Sequence, residues 1–248
     1  MRRHVVWLSA VLAAAGLSGQ QTPTFEVASV KPSANQGGRK GTKGGGSPAL
    51  FSRHNSTLKS LILRAYDLQD YQLSGGPSWI DNDRYDIDAR PEHPATQEQM
   101  LLMLRSLLAD RFQLTTHRET RTLATYVITV AKGGPKFGPY FHPLKEGAPF
   151  PPDEGRMQLG GDLTHFAVLL RANMRMFDPS TGPIVPAADN PPVLDRTGLK
   201  GEYSILVSTD THEEWPAILE RQLGLKLELR KEPVDVVIVD HASKPSAN

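Results

Sequence analysis

Seven histidines lie beyond the first few residues: His54, His93, His117, His142, His165, His212 and His241. They are the side chains best suited to metal ligation or proton transfer. A zinc hydrolase sets its ligands one helical turn apart, as in H-E-x-x-H, yet no two of these stand at i and i+4. Asp240-His241 could join a distant serine in a triad, because triads assemble from positions far apart in sequence. The G-x-S-x-G elbow is absent, and Gly46-Ser47-Pro48 lies in a glycine-rich loop. Asp81, Asp83, Asp86 and Asp88 form the densest acidic cluster. Calcium would use such oxygens, but Asp86 stands where an EF-hand counted from Asp81 needs glycine. The alternation of Tyr85 and Ile87 with Asp86 and Asp88 is what a half-buried strand produces, so the acids are expected on a solvent face.

The stretch Ser33 to Pro48 mixes glycines with Arg39, Lys40 and Lys43. A phosphate loop needs G-x-x-x-x-G-K-[ST], and after Gly37 and Gly38 the second glycine is replaced by Thr42 and Lys43. The stretch reads as a flexible basic hairpin loop. Trp79 and Trp215 read as core aromatics, with a binding anchor as the other use of such side chains. No catalytic, cofactor-binding or metal residue is therefore assigned, and no cofactor is expected. Two other classes stay open. One is an exported hydrolase with a site around His54, His117 or Asp240/His241. The other is a carbohydrate- or peptide-binding protein stacking its ligand on Trp79, Tyr140 and Phe141.

The elements that would position these residues come in two similar series. Leu73 to Lys132 and Pro192 to His241 each open on a glycine turn, Gly75-Gly76-Pro77-Ser78-Trp79 and Asp195-Arg196-Thr197-Gly198. An alternating strand follows, Arg84 to Asp88 or Glu202 to Leu206, then a leucine-rich helix, Gln99 to Leu108 or Trp215 to Leu223. Two strands are expected to close each series: Phe112 to Glu119 with Ala124 to Ala131, and Leu225 to Glu232 with Val234 to Val239. A helix precedes each, with Leu58/Leu61/Ile62/Ala65 and Leu163/Phe166/Ala167/Leu170 at the spacing of one buried stripe. The pattern is that of an internal duplication. It matches Tyr85 with Tyr203, Ile87 with Ile205 and Leu114 with Leu227.

Local signals fill in the rest. Phe25 to Val30 alternates and meets Lys31-Pro32, so a first strand is expected. Asn55 or Ser56 is expected to cap the helix starting near Leu58, and Thr96 with Gln99 fits a capping box for a helix over Gln97 to Asp110. Gly133 to Gly155 is rich in proline and is expected to hold no regular element. Asp178 to Pro192 reads as a second proline-rich insertion, and His241 to Asn248 as a frayed tail. The fold class is α+β: two related modules, each of two helices packed on small mixed or antiparallel sheets. Residues 1–20 are a signal peptide, 21–132 the first module, 133–155 a Pro/Gly-rich connection, 156–241 the second module and 242–248 the tail.

Charge and cysteine content limit the setting. The chain has 248 residues and a formal net charge of +1. Its 28 Lys and Arg, less Arg2 and Arg3, leave 26 against 27 acids. That balance argues against nucleic acid as a partner, which needs a basic surface. Arg2-Arg3-His4, the apolar run Val5 to Leu17 and the small residues Ser18 and Gly19 have the form of a secretory leader. The run is short for a membrane span of about 20 residues, so no stable span is expected after cleavage. With no cysteine, neither a lipid-anchored cysteine nor a disulfide framework is available.

Several runs together resemble one known group: Phe25-Glu26-Val27-Ala28-Ser29-Val30-Lys31-Pro32, Gly75-Gly76-Pro77-Ser78-Trp79, Arg84-Tyr85-Asp86-Ile87, Leu107-Leu108-Ala109-Asp110-Arg111-Phe112, Val193 through Gly201, and Val237-Ile238-Val239-Asp240-His241. The group is a family of exported, soil-associated acidobacterial proteins of unknown function. More distantly, each half resembles the short N-terminal domain of secretins and TonB-dependent receptors. Leu223-Gly224-Leu225 fits the turn that follows the second helix of that domain, and Ala109-Asp110-Arg111-Phe112 fits it poorly. The resemblance implies a periplasmic or extracellular protein-contact or sensory module without enzymatic residues, whose partner is another envelope or secreted protein.

Overall fold

A computed structural model describes residues 23–34, 43–145, 156–174, 191–208 and 213–245. The chain is α+β and divides into two compact units. One comprises Met1–Tyr66, Asp81–Gln113 and Lys244–Asn248, the other Asp67–Ile80 and Leu114–Ser243. The leader and most of the Asp178 to Pro192 insertion lie outside the described residues.

In the first unit, strands β1 (Val27–Pro32), β2 (Lys43–Ser47), β3 (Leu50–Thr57) and β5 (Arg84–Arg90) form a sheet in the order β1-β5-β3-β2. All its pairings are antiparallel. Helices α1 (Leu58–Tyr66) and α2 (Gln97–Phe112) carry the core residues. Leu58, Leu61, Ile62 and Ala65 are buried on α1, and Met100, Leu104, Leu107, Leu108 and Phe112 on α2. The apolar stripes thus do what their spacing requires. Ile87 is fully buried, and Tyr85 meets Phe112 edge-on at 5.0 Å between ring centroids.

Start signals are local hydrogen bonds. Gln99 N–H donates to Thr96 Oγ1 while the Gln99 side chain accepts from Thr96 N–H, which is the expected capping box. On α1 the expected cap is displaced: Ser60 N–H donates to Thr57 Oγ1, so Thr57 takes the role given to Asn55 or Ser56. Asn55 is used otherwise. It sits at φ 57° where the β3–β5 register shifts, an extra-residue kink in the strand. Its N–H donates to Asp86 Oδ1 at 2.7 Å and its carbonyl accepts from Arg84 at 2.9 Å.

The second unit holds strands β4 (Leu73–Gly75), β6 (Thr115–Val130), β9 (Val193–Asp195) and β11 (Leu225–His241), in the order β4-β11-β6-β9. A smaller sheet, β7-β10-β8, consists of β7 (Phe141–Pro143), β8 (Met157–Gln158) and β10 (Tyr203–Val207). Helices α3 (Leu163–Asn173) and α4 (Trp215–Leu223) share a core with these strands, built on Phe141, Phe166, Ile205, Trp215 and Leu225. Asp162 Oδ1 accepts from His165 N–H to start α3, and Gly224 at φ 66° ends α4. Trp215 is buried and its indole N–H donates to the Met174 carbonyl, whereas Trp79 is half-buried.

The two strands expected at the end of each series are one long strand each. β6 and β11 pair antiparallel along nearly their whole length. Thr120-Arg121-Thr122 contains no turn former, and Pro233 is accommodated because its nitrogen faces away from β6. Tyr126 N–H donates to Pro192, away from β11, so the pair Thr122–Pro233 in the same register makes no ladder bonds. The register also has an internal regularity. β9 joins β6 at Tyr126 and β4 joins β11 at Val237, each thirteen residues after a left-handed helix-closing residue, Gln113 or Gly224.

Three other expectations need correction. Lys43–Ser47, read as flexible loop, is strand β2 paired with β3, while residues 35–42 lie outside the described set. Phe141–Pro143, read as irregular, pairs with β10 because Phe141 is a buried core residue. The tail does not fray at once: β11 runs to His241, Ala242 is buried, and Lys244 pairs with Asp83 at 2.6 Å.

Candidate functional site

The sequence-singled polar residues fall into separate small clusters. On the β3–β5 surface, Ser52 Oγ donates to Asp88 Oδ1 at 2.7 Å. His54 Nε2 lies 3.1 and 3.0 Å from the two Asp88 oxygens and 3.3 Å from Ser52 Oγ. Cross-strand spacing brings them together: Ser52 faces Asp88 directly, and His54 is two residues along the same face of β3. The Ser52 hydroxyl, helped by His54 and Lys31, outweighs desolvation and holds the Asp88 carboxyl below its ordinary range.

This is a serine, a histidine and an aspartate without the geometry of a triad. A triad sets acid and nucleophile on opposite ring nitrogens, so that the imidazole takes the hydroxyl proton. Here one nitrogen faces both partners, and the hydroxyl proton points at the carboxylate. His117 is arranged differently: Nδ1 is 2.8 Å from Asp240 Oδ1 and Nε2 is 4.0 Å from Glu119. Both nitrogens face carboxylates, so this cluster positions no hydroxyl. Asp240 and His241 part company, since His241 Nε2 meets Ser243 Oγ at 3.0 Å.

The acidic cluster is likewise dispersed. Asp81 pairs with Lys59 at 2.7 Å, Asp83 with Lys244, Asp86 with the Asn55 amide and Asp88 with Ser52 and His54. Each of the four acids is thus engaged by partners of its own. Among the described residues no group of three or more His, Asp or Glu is placed to hold a metal.

A hollow of about 440 Å³ in the first unit was not anticipated from the sequence. The end of the β2–β3 hairpin, α1 and the start of α2 enclose it, and Ala95 N–H donating to Pro48 O at 2.7 Å ties hairpin to helix start. Its walls are apolar at Phe51, Met100 and Leu101 and cationic at Arg53 and Arg64. Burial first, and then the Arg64 charge, holds the Arg53 guanidinium below the usual arginine range. The sequence signal was weak: two arginines eleven residues apart, one on a strand and one on a helix. Of the proposed stacking platforms, Tyr140 carries the Arg156 guanidinium 3.9 Å above its ring, and Phe141 is buried against Phe137 and Tyr203.

A family model described as "Protein of unknown function (DUF3738)" matches residues 59–242. No curated protein and no solved structure matches the chain. Among the described residues no helix is long and apolar enough to cross a membrane.

Proposed function

For a chain that belongs to the DUF3738 family of unknown function, we propose an exported, non-enzymatic interaction or sensory module acting in the periplasm or outside the cell. The observation that carries this reading is the Ser52–His54–Asp88 cluster. Where hydroxyl, imidazole and carboxylate converge among the described residues, the serine proton is committed to the aspartate. Such a cluster ties β3 to β5 and leaves no activated nucleophile.

The finer parts of the proposal are the two related modules and the likeness to the secretin and TonB short N-terminal domain. They are supported by element order, since α1-β4-β5-α2-β6 is followed by α3-β9-β10-α4-β11. They are supported also by register: Tyr85 stands opposite Pro32 across β5–β1, and Tyr203 opposite Pro143 across β10–β7. Export rests on the leader-like start of the sequence. The partner is another envelope or secreted protein.

Capture from native envelope extracts, with protein lacking residues 1–20 as bait, tests the reading. One saturable envelope partner is the expected result. Turnover in an ester, peptide and glycoside panel, lost in Ser52→Ala or His54→Ala, would overturn it. Mass spectrometry of native protein is expected to show the leader removed, and an N-terminus at Met1 would overturn export by cleavage.

A further inference from the structure

The hollow beside Arg53 and Arg64 brings two like charges together in a wall that mixes polar and apolar side chains. Of its lining residues none is Asp or Glu. Among the described residues, the Arg53 guanidinium has one hydrogen bond, to the Ser52 carbonyl at 3.1 Å, and lies 5.6 Å from the Phe51 ring centroid. Arg64 makes no ion pair among the described residues. A guanidinium carries five N–H donors in a planar fork, so most of this donor capacity is uncommitted. In the same unit Lys59 pairs with Asp81, Lys244 with Asp83 and Arg111 with Asp110, while Arg105 donates to the Ala65 carbonyl. Two neighbouring cations without an anion repel each other, and a bound anion would remove that repulsion.

The rest of the lining decides what the anion carries. Phe51 and Met100 are buried and Leu101 is half-buried, and together with Pro48 they form a surface an inorganic ion would leave unused. The volume, about 440 Å³, is within the range of small-molecule sites. Thr96 and Gln97, at the start of the sixteen-residue α2, add a favourable helix-end potential on the same side.

We propose that this hollow binds an amphiphilic carboxylate, its head group between Arg53 and Arg64 and its aliphatic or aromatic body against Phe51, Met100 and Leu101. The proposal deepens the non-enzymatic reading by naming what the module senses. Recognition needs both halves of the ligand. The guanidiniums select the charge and the apolar wall selects the body, so neither acetate nor a neutral alcohol satisfies the site. Because the head groups are partly solvated, binding weakens as ionic strength rises.

Titration calorimetry with decanoate, decanol and acetate tests it on protein lacking residues 1–20. Decanoate is expected to bind saturably at one site, with decanol and acetate each weaker by roughly tenfold or more, the loss for a charge-assisted contact or a buried chain. Arg64→Gln changes an exposed side chain and should preserve the thermal melt while weakening decanoate roughly tenfold. Arg53→Gln should do the same, and Lys59→Gln should leave binding unchanged. Equal binding of decanol and decanoate, or undiminished binding by Arg64→Gln, would overturn the site. Decanoylglycine separates the two readings. If it is bound and its amide is cleaved, the non-enzymatic reading falls and the site stands. If neither ligand binds while an envelope partner is captured, the site falls and the reading stands.

Discussion

Arg171 on α3 donates to the Asp70 carboxylate at 2.7 Å from a side chain only 7 % exposed. The same guanidinium lies 4.9 Å from the Tyr71 ring centroid, and burial pushes the Tyr71 phenol up from its ordinary value. Asp70 and Tyr71 belong to the short segment that leads into β4, so one helix side chain holds the approach to a three-residue edge strand. Removing one member of a buried pair leaves the other charge uncompensated.

Arg171→Ala is therefore expected to cost about 3 kcal/mol, and Asp70→Asn less, about 1–2 kcal/mol, because Asp70 is more exposed and keeps a polar side chain. Urea denaturation of both variants checks the order. Equal, near-zero losses would show the pair to be energetically idle.

Ile87 and Ile205 are fully buried on β5 and β10. Each truncation to alanine should cost roughly 2–5 kcal/mol, the sum of lost transfer energy and the cavity left behind. A loss below about 1 kcal/mol at either site would mean that strand does not carry core in solution.

The residues closing α2 and α4 should respond in opposite directions. Gly224 is at φ 66°, and a Cβ there would meet the Gly134 carbonyl oxygen at 2.3 Å, a backbone atom that cannot step aside. Gly224→Ala should destabilise by more than about 1 kcal/mol. Gln113 closes α2 at φ 48° with a side chain that disfavours this conformation. Gln113→Gly should stabilise by up to about 1 kcal/mol, read as a rise in melting temperature.

Asp88 supplies a pH prediction. Its carboxyl is held low by Ser52 first, so its contribution is present above the ordinary aspartate pKa of about 3.9. That contribution is lost as pH falls through the lowered value in the folded state. In Ser52→Ala the carboxyl should titrate closer to its ordinary value, and acid unfolding should begin at slightly higher pH. Carboxyl-carbon NMR titration reads the first effect directly. An unmoved Asp88 titration would remove Ser52 as the cause.

The sequence by itself determined the α+β class, the helices and the buried stripes, because these follow from short-range periodicity and capping. Leu58/Leu61/Ile62/Ala65 and Thr96/Gln99 needed no distant partner to be read. Strand length and partnership were decided only by tertiary structure. Nothing local says that Thr115–Val130 and Leu225–His241 are single strands, because their continuity comes from pairing with each other. The same holds for the chemistry. Ser52, His54 and Asp88 meet through cross-strand register, Arg171 finds Asp70 a hundred and one residues away, and Arg53 and Arg64 share a hollow because a hairpin end and two helices enclose it. Side-chain spacing along one element is local geometry, whereas a site made between elements exists only once packing has fixed which faces meet.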